Sequence, residues 1–143
     1  MAAPLGSLAL WVVAALVLWL HTLAGIAGQY IGQGYPVYPA LKVSAASLAF
    51  DAVATTVPVA LAAAFARWRR IRAFWPLSVT LIGLLWLWAG NEMVFAFTID
   101  FGTTWRGTEA FCALFLHPVH TPLALAALAF ASYRLIAPRG RAR

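Results

Sequence analysis

Four long apolar segments are the feature that most constrains what this chain can fold into. They occupy residues 6–28, 44–66, 73–99 and 110–136. Each is long enough to cross about 30 Å of hydrocarbon at the rise of an α-helix, about 1.5 Å per residue. Little of the 143-residue chain lies outside them, so we expect one four-span domain over residues 1–143 and no separate soluble domain. The predicted fold is all-α, a four-helix transmembrane bundle.

The composition also indicates an integral membrane protein. Hydrophobic residues make up 64% of the chain and charged residues 10%, with a mean hydropathy of +0.85. Residues 1–7 contain no Lys or Arg, and the first apolar run is longer than that of a cleaved signal peptide. We therefore expect the first segment to be a retained span. The predicted location is the bilayer of a bacterial inner (cytoplasmic) membrane, as a multi-pass protein.

The basic residues indicate the orientation of the bundle. Eight of the ten fall in two groups, one between the second and third segments and one at the end of the chain: Arg67, Arg69, Arg70, Arg72, Arg134, Arg139, Arg141 and Arg143. Cytoplasmic loops of membrane proteins are enriched in Lys and Arg. With four spans, this rule predicts that the N- and C-termini are both cytoplasmic. It also accounts for the net charge of +6, so we expect no nucleic-acid partner.

Every apolar segment contains titratable residues. These are His21 in the first, Asp51 in the second, Glu92 in the third, and His117 with His120 in the fourth. Such residues are costly in hydrocarbon and usually mark a functional site. With the predicted orientation, one from each segment lies about 10 Å below the outer end of its span at the helical rise. The sequence therefore predicts a pocket in the half of the membrane away from the cytoplasm.

Helical spacing suggests which side chains share this pocket. Asp51 and Thr55 lie on one polar stripe of the second segment, and His117 and His120 lie three residues apart on one side of the fourth. Trp88 lies one turn from Glu92. The predicted site has three catalytic candidates and five further ligand-binding candidates: Asp51, Glu92 and His117, then His21, Asn91, Trp88, His120 and Thr55.

Two functions follow from imidazoles and carboxylates in an apolar pocket. The first is binding of a metal or a small lipophilic ligand. A divalent transition metal would use His21, His117, His120 and Glu92. A haem b would use His21 with His117 or His120 as axial ligands, but two carboxylates are not needed in a haem pocket. The second is acid–base catalysis by an isomerase- or cyclase-type enzyme acting on an isoprenoid-like lipid.

Other interpretations of the same residues stay open. Transport of protons, metal or a small cation would require a homo-oligomer, because four spans are few for a transporter. Alternatively, the chain is an accessory subunit of a larger redox or transport complex, and its polar residues pair across helices to fix their packing. The sequence does not decide whether the protein is an enzyme.

Overall fold

The computed structural model describes residues 3–32, 37–69, 75–100 and 108–136, with side chains over 5–29, 45–68, 76–99 and 108–136. These residues form six helices and no strand. In chain order the helices are α1 (Ala3–Gly32), α2 (Val37–Thr55), α3 (Val57–Arg69), α4 (Trp75–Asp100), α5 (Glu109–Leu114) and α6 (His120–Ile136). The prediction of an all-helical protein is confirmed for this part of the chain.

Three stretches are long and apolar enough to cross a membrane: Leu5–Gln29, Ala45–Trp68 and Pro76–Ile99. They coincide closely with the first three predicted spans. The fourth predicted span, 110–136, is divided between α5 and α6. At 17 residues, α6 covers about 26 Å at the helical rise, slightly less than the hydrocarbon thickness.

The second span is interrupted where α2 meets α3, at Thr56. Pro58 lacks an N–H and its ring displaces the carbonyl group of the preceding turn, so a regular helix cannot continue. The N–H of Val59 donates instead to the Thr56 carbonyl oxygen at 3.0 Å. The indole Nε1 of Trp11, on α1, donates to the Val53 carbonyl oxygen at 3.2 Å and to Thr56 Oγ1 at 3.1 Å. A neighbouring helix thus supplies a donor where the backbone pattern is broken.

Helix α1 is the centre of the structure, because it packs against each of the other five helices. Its buried side chains recur every four residues, at Leu10, Ala14, Leu18, Thr22 and Ile26. The matching stripe on α6 is Ala124, Leu128, Ser132 and Ile136. Many large apolar side chains on the outer faces are exposed, among them Leu5, Leu20, Phe50, Leu84, Phe95, Leu123 and Phe130. This distribution is the one expected where lipid surrounds the helices.

One end of the bundle is tied together by Arg67. Its Nη1 donates a hydrogen bond of 2.7 Å to the carbonyl oxygen of Leu135, in the last turn of α6. The guanidinium group passes over Gly6, where a Cβ atom would overlap it. Arg67 therefore connects α1, α3 and α6 at the end of the bundle where α1 begins.

Candidate functional site

The fourth predicted span breaks between α5 and α6, at residues 115–119. The N–H groups of Phe115 and Leu116 both donate to the Phe111 carbonyl oxygen at 3.0 Å, which closes α5. Pro118 then provides no N–H, and α6 begins at His120. The break leaves carbonyl groups that a continuous helix would have paired, so side chains must satisfy them.

Two glycines allow the break to pack closely against its neighbours. The Leu114 carbonyl oxygen lies over Gly25 of α1, and the Phe115 ring lies over Gly90 of α4. A Cβ atom at either glycine would overlap these groups. The Phe115 side chain is 1% exposed, so the break is anchored by an aromatic ring in the core. These contacts fix the position of residues 114 and 115 between α1 and α4.

His21 connects α1 to the backbone of the break. Its Nε2 lies 2.8 Å from the Phe115 carbonyl oxygen, and the side chain is buried. The imidazole also contacts two aromatic rings, with centroid distances of 4.5 Å to Phe115 and 5.5 Å to Trp86. Trp86 is fully buried and donates from Nε1 to the Ala14 carbonyl oxygen at 3.2 Å. The histidine is therefore held in a defined position by a hydrogen bond and by ring packing.

Thr121 completes the hydrogen bonding of the break. Its Oγ1 donates to the Phe115 carbonyl oxygen at 3.0 Å and lies 3.4 Å from His21 Nε2. The same oxygen accepts the backbone N–H of His117 at 2.9 Å. A single buried hydroxyl thus connects the end of α5, the start of α6 and the imidazole of α1.

His117 and His120 form the other side of the site. The Nδ1 atom of His117 accepts backbone N–H groups from Val119 at 3.1 Å and from His120 at 3.2 Å. These bonds satisfy donors at the start of α6, in the manner of a helix cap. The two imidazole rings are stacked, with their centroids 4.1 Å apart and their planes 17° from parallel. Both side chains are exposed to the surroundings of the bundle.

All three histidines line one cavity of about 290 Å³. The rest of its wall comes from α1 and from the end of α5 with the start of the break: Ala24, Gly25, Gly28, Gln29 and residues 113–116. It lies at the C-terminal end of α1, away from the Gly6 end where Arg67 binds. The cavity lies where the fourth predicted span is interrupted beside the small residues of α1.

The other predicted site residues lie elsewhere. None of Asp51, Thr55, Trp88, Asn91 and Glu92 is among the described residues that line this cavity. Thr55 donates from Oγ1 to the backbone carbonyl oxygen of Asp51 at 2.7 Å, and Trp88 is 48% exposed. Asp51, Asn91 and Glu92 are half-buried on α2 and α4. The structure therefore brings together the histidines of the predicted pocket, and the roles assigned to the other five residues stay predictions.

Metal binding gains no support from the arrangement. Within residues 3–32, 37–69, 75–100 and 108–136, no group of three or more His, Cys, Asp or Glu side chains is placed to hold a metal ion. Glu92, which the sequence interpretation included as a ligand, does not line the histidine cavity. The metal and haem hypotheses thus rest on residue type alone.

The predicted site does not include three residues that contact the histidines in the structure: Trp86, Phe115 and Thr121. The sequence interpretation selects Trp88 as the aromatic residue of the site, because Trp88 lies one turn from Glu92. In the structure Trp86 contacts His21, and Trp88 lies on the surface. Thr121 had a usable signal, because a hydroxyl four residues after His117 and next to Pro122 can satisfy an interrupted backbone. Phe115 had none, since its position depends on Gly90 of another helix.

Comparison with known proteins found no family model that matches the chain, and no curated protein or solved structure that matches it.

Proposed function

We propose that this chain is a four-span membrane protein, with both termini in the cytoplasm, that binds the polar head of a small lipophilic ligand. The binding site is the cavity lined by His21, His117 and His120 at the non-cytoplasmic end of the bundle. α5 and α6 together with the break between them make up the fourth span. Three imidazoles from two spans in one cavity are the observation that carries the proposal.

The cost of polar groups in a membrane favours a functional role for this cluster. Helix packing alone requires that buried polar groups find partners, and the Nε2 atom of His21 meets that requirement at Phe115. His117 Nδ1 also has a structural role, because it caps the start of α6. Neither role requires a third imidazole at His120 or a cavity between the rings. A ligand that fills the cavity and bonds to the imidazoles accounts for both.

The size of the cavity limits what can bind. Its volume of about 290 Å³ is at the lower end of the range for small-molecule pockets, about 300–1,000 Å³. It can therefore hold the head of a lipophilic molecule, such as one or two fused rings, while a longer tail would lie along the exposed apolar faces of the helices.

Saturable binding of aromatic probes tests this proposal. We suggest equilibrium dialysis of detergent-purified protein with 2-naphthol and 2-methoxynaphthalene, both small enough for the cavity. The matched variants are Gly28→Phe, which places a ring in the cavity where a Cβ atom meets nothing within 4 Å, and Leu20→Phe, on the exposed face of the same helix. At least one probe should bind saturably to the wild type and to Leu20→Phe, and not to Gly28→Phe.

Partitioning into the micelle is the competing outcome. If uptake of both probes rises linearly with concentration and is the same in the wild type and the two variants, the cavity is not a ligand site. Unfolding curves of both variants, followed by tryptophan fluorescence, serve to confirm that Gly28→Phe is folded under the dialysis conditions.

A further inference from the structure

The hydrogen bonds of His21 define which of its ring nitrogens is free. Its Nε2 lies 2.8 Å from the Phe115 carbonyl oxygen, which can only accept, so Nε2 carries the proton. In the neutral imidazole, Nδ1 then has a lone pair and accepts. Nδ1 has no hydrogen-bond partner among the residues that the structure describes, although the side chain is 8% exposed and lines the cavity. His21 therefore offers an acceptor to a ligand.

His117 offers the opposite group. Its Nδ1 accepts the N–H groups of Val119 and His120 and so carries no proton. The proton of the neutral ring must be on Nε2, which has no partner in the described part of the chain and belongs to a side chain lining the same cavity. The backbone of the break thus holds His117 as a donor.

We infer that the ligand head is a hydroxyl group, as in a lipophilic alcohol, a phenol or a quinol, that donates to His21 Nδ1 and accepts from His117 Nε2. This inference rests on the proposed function, because it specifies the ligand of the same cavity. A hydroxyl group has one donor and two acceptor lone pairs, so it satisfies both imidazoles at once.

A polar head that only accepts or only donates leaves one of the two imidazoles without a partner. A ketone or an ether only accepts, and His21 Nδ1 would stay unpaired beside the ligand. An ammonium group only donates, and the His117 N–H would have no acceptor. An unpaired polar group in an apolar site lowers affinity, since its interaction with water is lost without replacement. The pair therefore selects a neutral head that both donates and accepts.

The rest of the cavity suits the carbon frame of such a molecule. Phe115, Leu114 and Leu116 provide apolar surface next to the imidazoles, and Ala24 and Gly28 leave room on the side of α1. A ring or chain that bears the hydroxyl group can therefore pack beside the break while its oxygen reaches the histidines.

Three probes of matched shape test the selectivity: 2-naphthol donates and accepts, 2-methoxynaphthalene only accepts, and 2-methylnaphthalene does neither. We expect 2-naphthol to bind the wild-type protein about tenfold more tightly than 2-methoxynaphthalene, the effect of one hydrogen bond. His21→Phe should remove that difference. Leu20→Phe, on the exposed face of the same helix, should preserve it.

Nitrogen NMR of the imidazoles tests the inference on the wild-type protein, so it does not depend on whether a variant folds. In the wild type, His21 should be the Nε2–H tautomer, and its Nδ1 resonance should shift with 2-naphthol but not with 2-methylnaphthalene. An Nδ1–H tautomer at His21 would overturn the inference. Equal affinities of the wild type for 2-naphthol and 2-methoxynaphthalene would also overturn the inference. If Gly28→Phe binds neither probe, that result would still support the proposed function. If none of the three probes binds saturably, the proposed function fails together with the inference.

Discussion

At the scale of single residues, hydroxyl and indole groups satisfy the backbone of neighbouring turns and helices. Thr22 donates from Oγ1 to the Leu18 carbonyl oxygen at 3.0 Å, and Thr121 donates to that of Phe115. Trp19 donates from Nε1 to the Ala45 carbonyl oxygen of α2 at 2.9 Å. Each bond gives a backbone carbonyl group the hydrogen bond that water would give it in solution and that lipid cannot give. Ser132 is the exception, because its buried Oγ has no hydrogen-bond partner among the described residues.

Removing the Ser132 hydroxyl group should stabilise the protein. An unpaired buried polar group costs about 1–3 kcal/mol, so we expect Ser132→Ala to raise the free energy of unfolding by about 1 kcal/mol. The control is Thr22→Val, which removes a fully buried hydroxyl group that does have partners, Leu18 and Met93, and should lower stability. Denaturation in detergent, followed by circular dichroism, measures both. A loss of stability in Ser132→Ala would show that its hydroxyl group has a partner after all.

At the scale of secondary structure, two of the four predicted spans are interrupted, and each interruption has a proline. Pro58 lies just after Thr56, and Pro118 lies between α5 and α6. The two breaks are satisfied from α1, by Trp11 in the first case and by His21 in the second. The second break borders a cavity with polar walls, at a place where Gly25 lets the backbone of residue 114 approach α1 closely.

The two glycines beneath the break should not tolerate alanine. In Gly25→Ala and Gly90→Ala, the new methyl group overlaps the Leu114 carbonyl oxygen or the Phe115 ring. Overpacking of this kind costs about 1–3 kcal/mol and should displace Phe115, so both unfolding free energy and probe binding should fall. Gly83→Ala is the control, because its Cβ would lie 3.7 Å from Leu125 Cδ2, an ordinary contact. If Gly90→Ala is as stable as the wild type and binds the probes equally well, the described packing of Phe115 is wrong.

At the scale of the whole molecule, the two ends of the bundle differ in chemistry. One end has Arg67 bonded to the last turn of α6, near the start of α1. The other has the imidazole cavity at the end of α1. Because α1 and α4 both pack against the break and against other described helices, either of them can transmit a change at the break to the opposite end.

The proposed orientation predicts which ends are accessible from outside the cell. Cys112 is the only cysteine of the chain, so Cys112→Ala provides a background for single cysteines. A membrane-impermeant maleimide should label Thr108→Cys in intact cells. It should label Ala142→Cys only after the membrane is disrupted, because an arginine-rich segment such as the end of this chain stays on the cytoplasmic side. The reverse pattern would place the histidine cavity on the cytoplasmic side.

The sequence by itself determined the helical, membrane-type character of the chain and the position of three spans along it. These follow from local properties, because a run of about 20 apolar residues can satisfy its backbone in lipid only as a helix. It also indicated the three histidines that meet, since titratable residues stand out in apolar segments and usually mark a site.

The rotation of each helix about its axis was decided only by the tertiary structure. Adjacent residues on a helix point about 100° apart, so Trp86 and Trp88 could not be distinguished before α4 was packed against its neighbours. The same rotation keeps Glu92 and Asp51 out of the histidine cavity although their depth along the spans suggested a shared site. It depends on contacts between distant segments, above all Phe115 on Gly90 and Leu114 on Gly25, which no local pattern encodes.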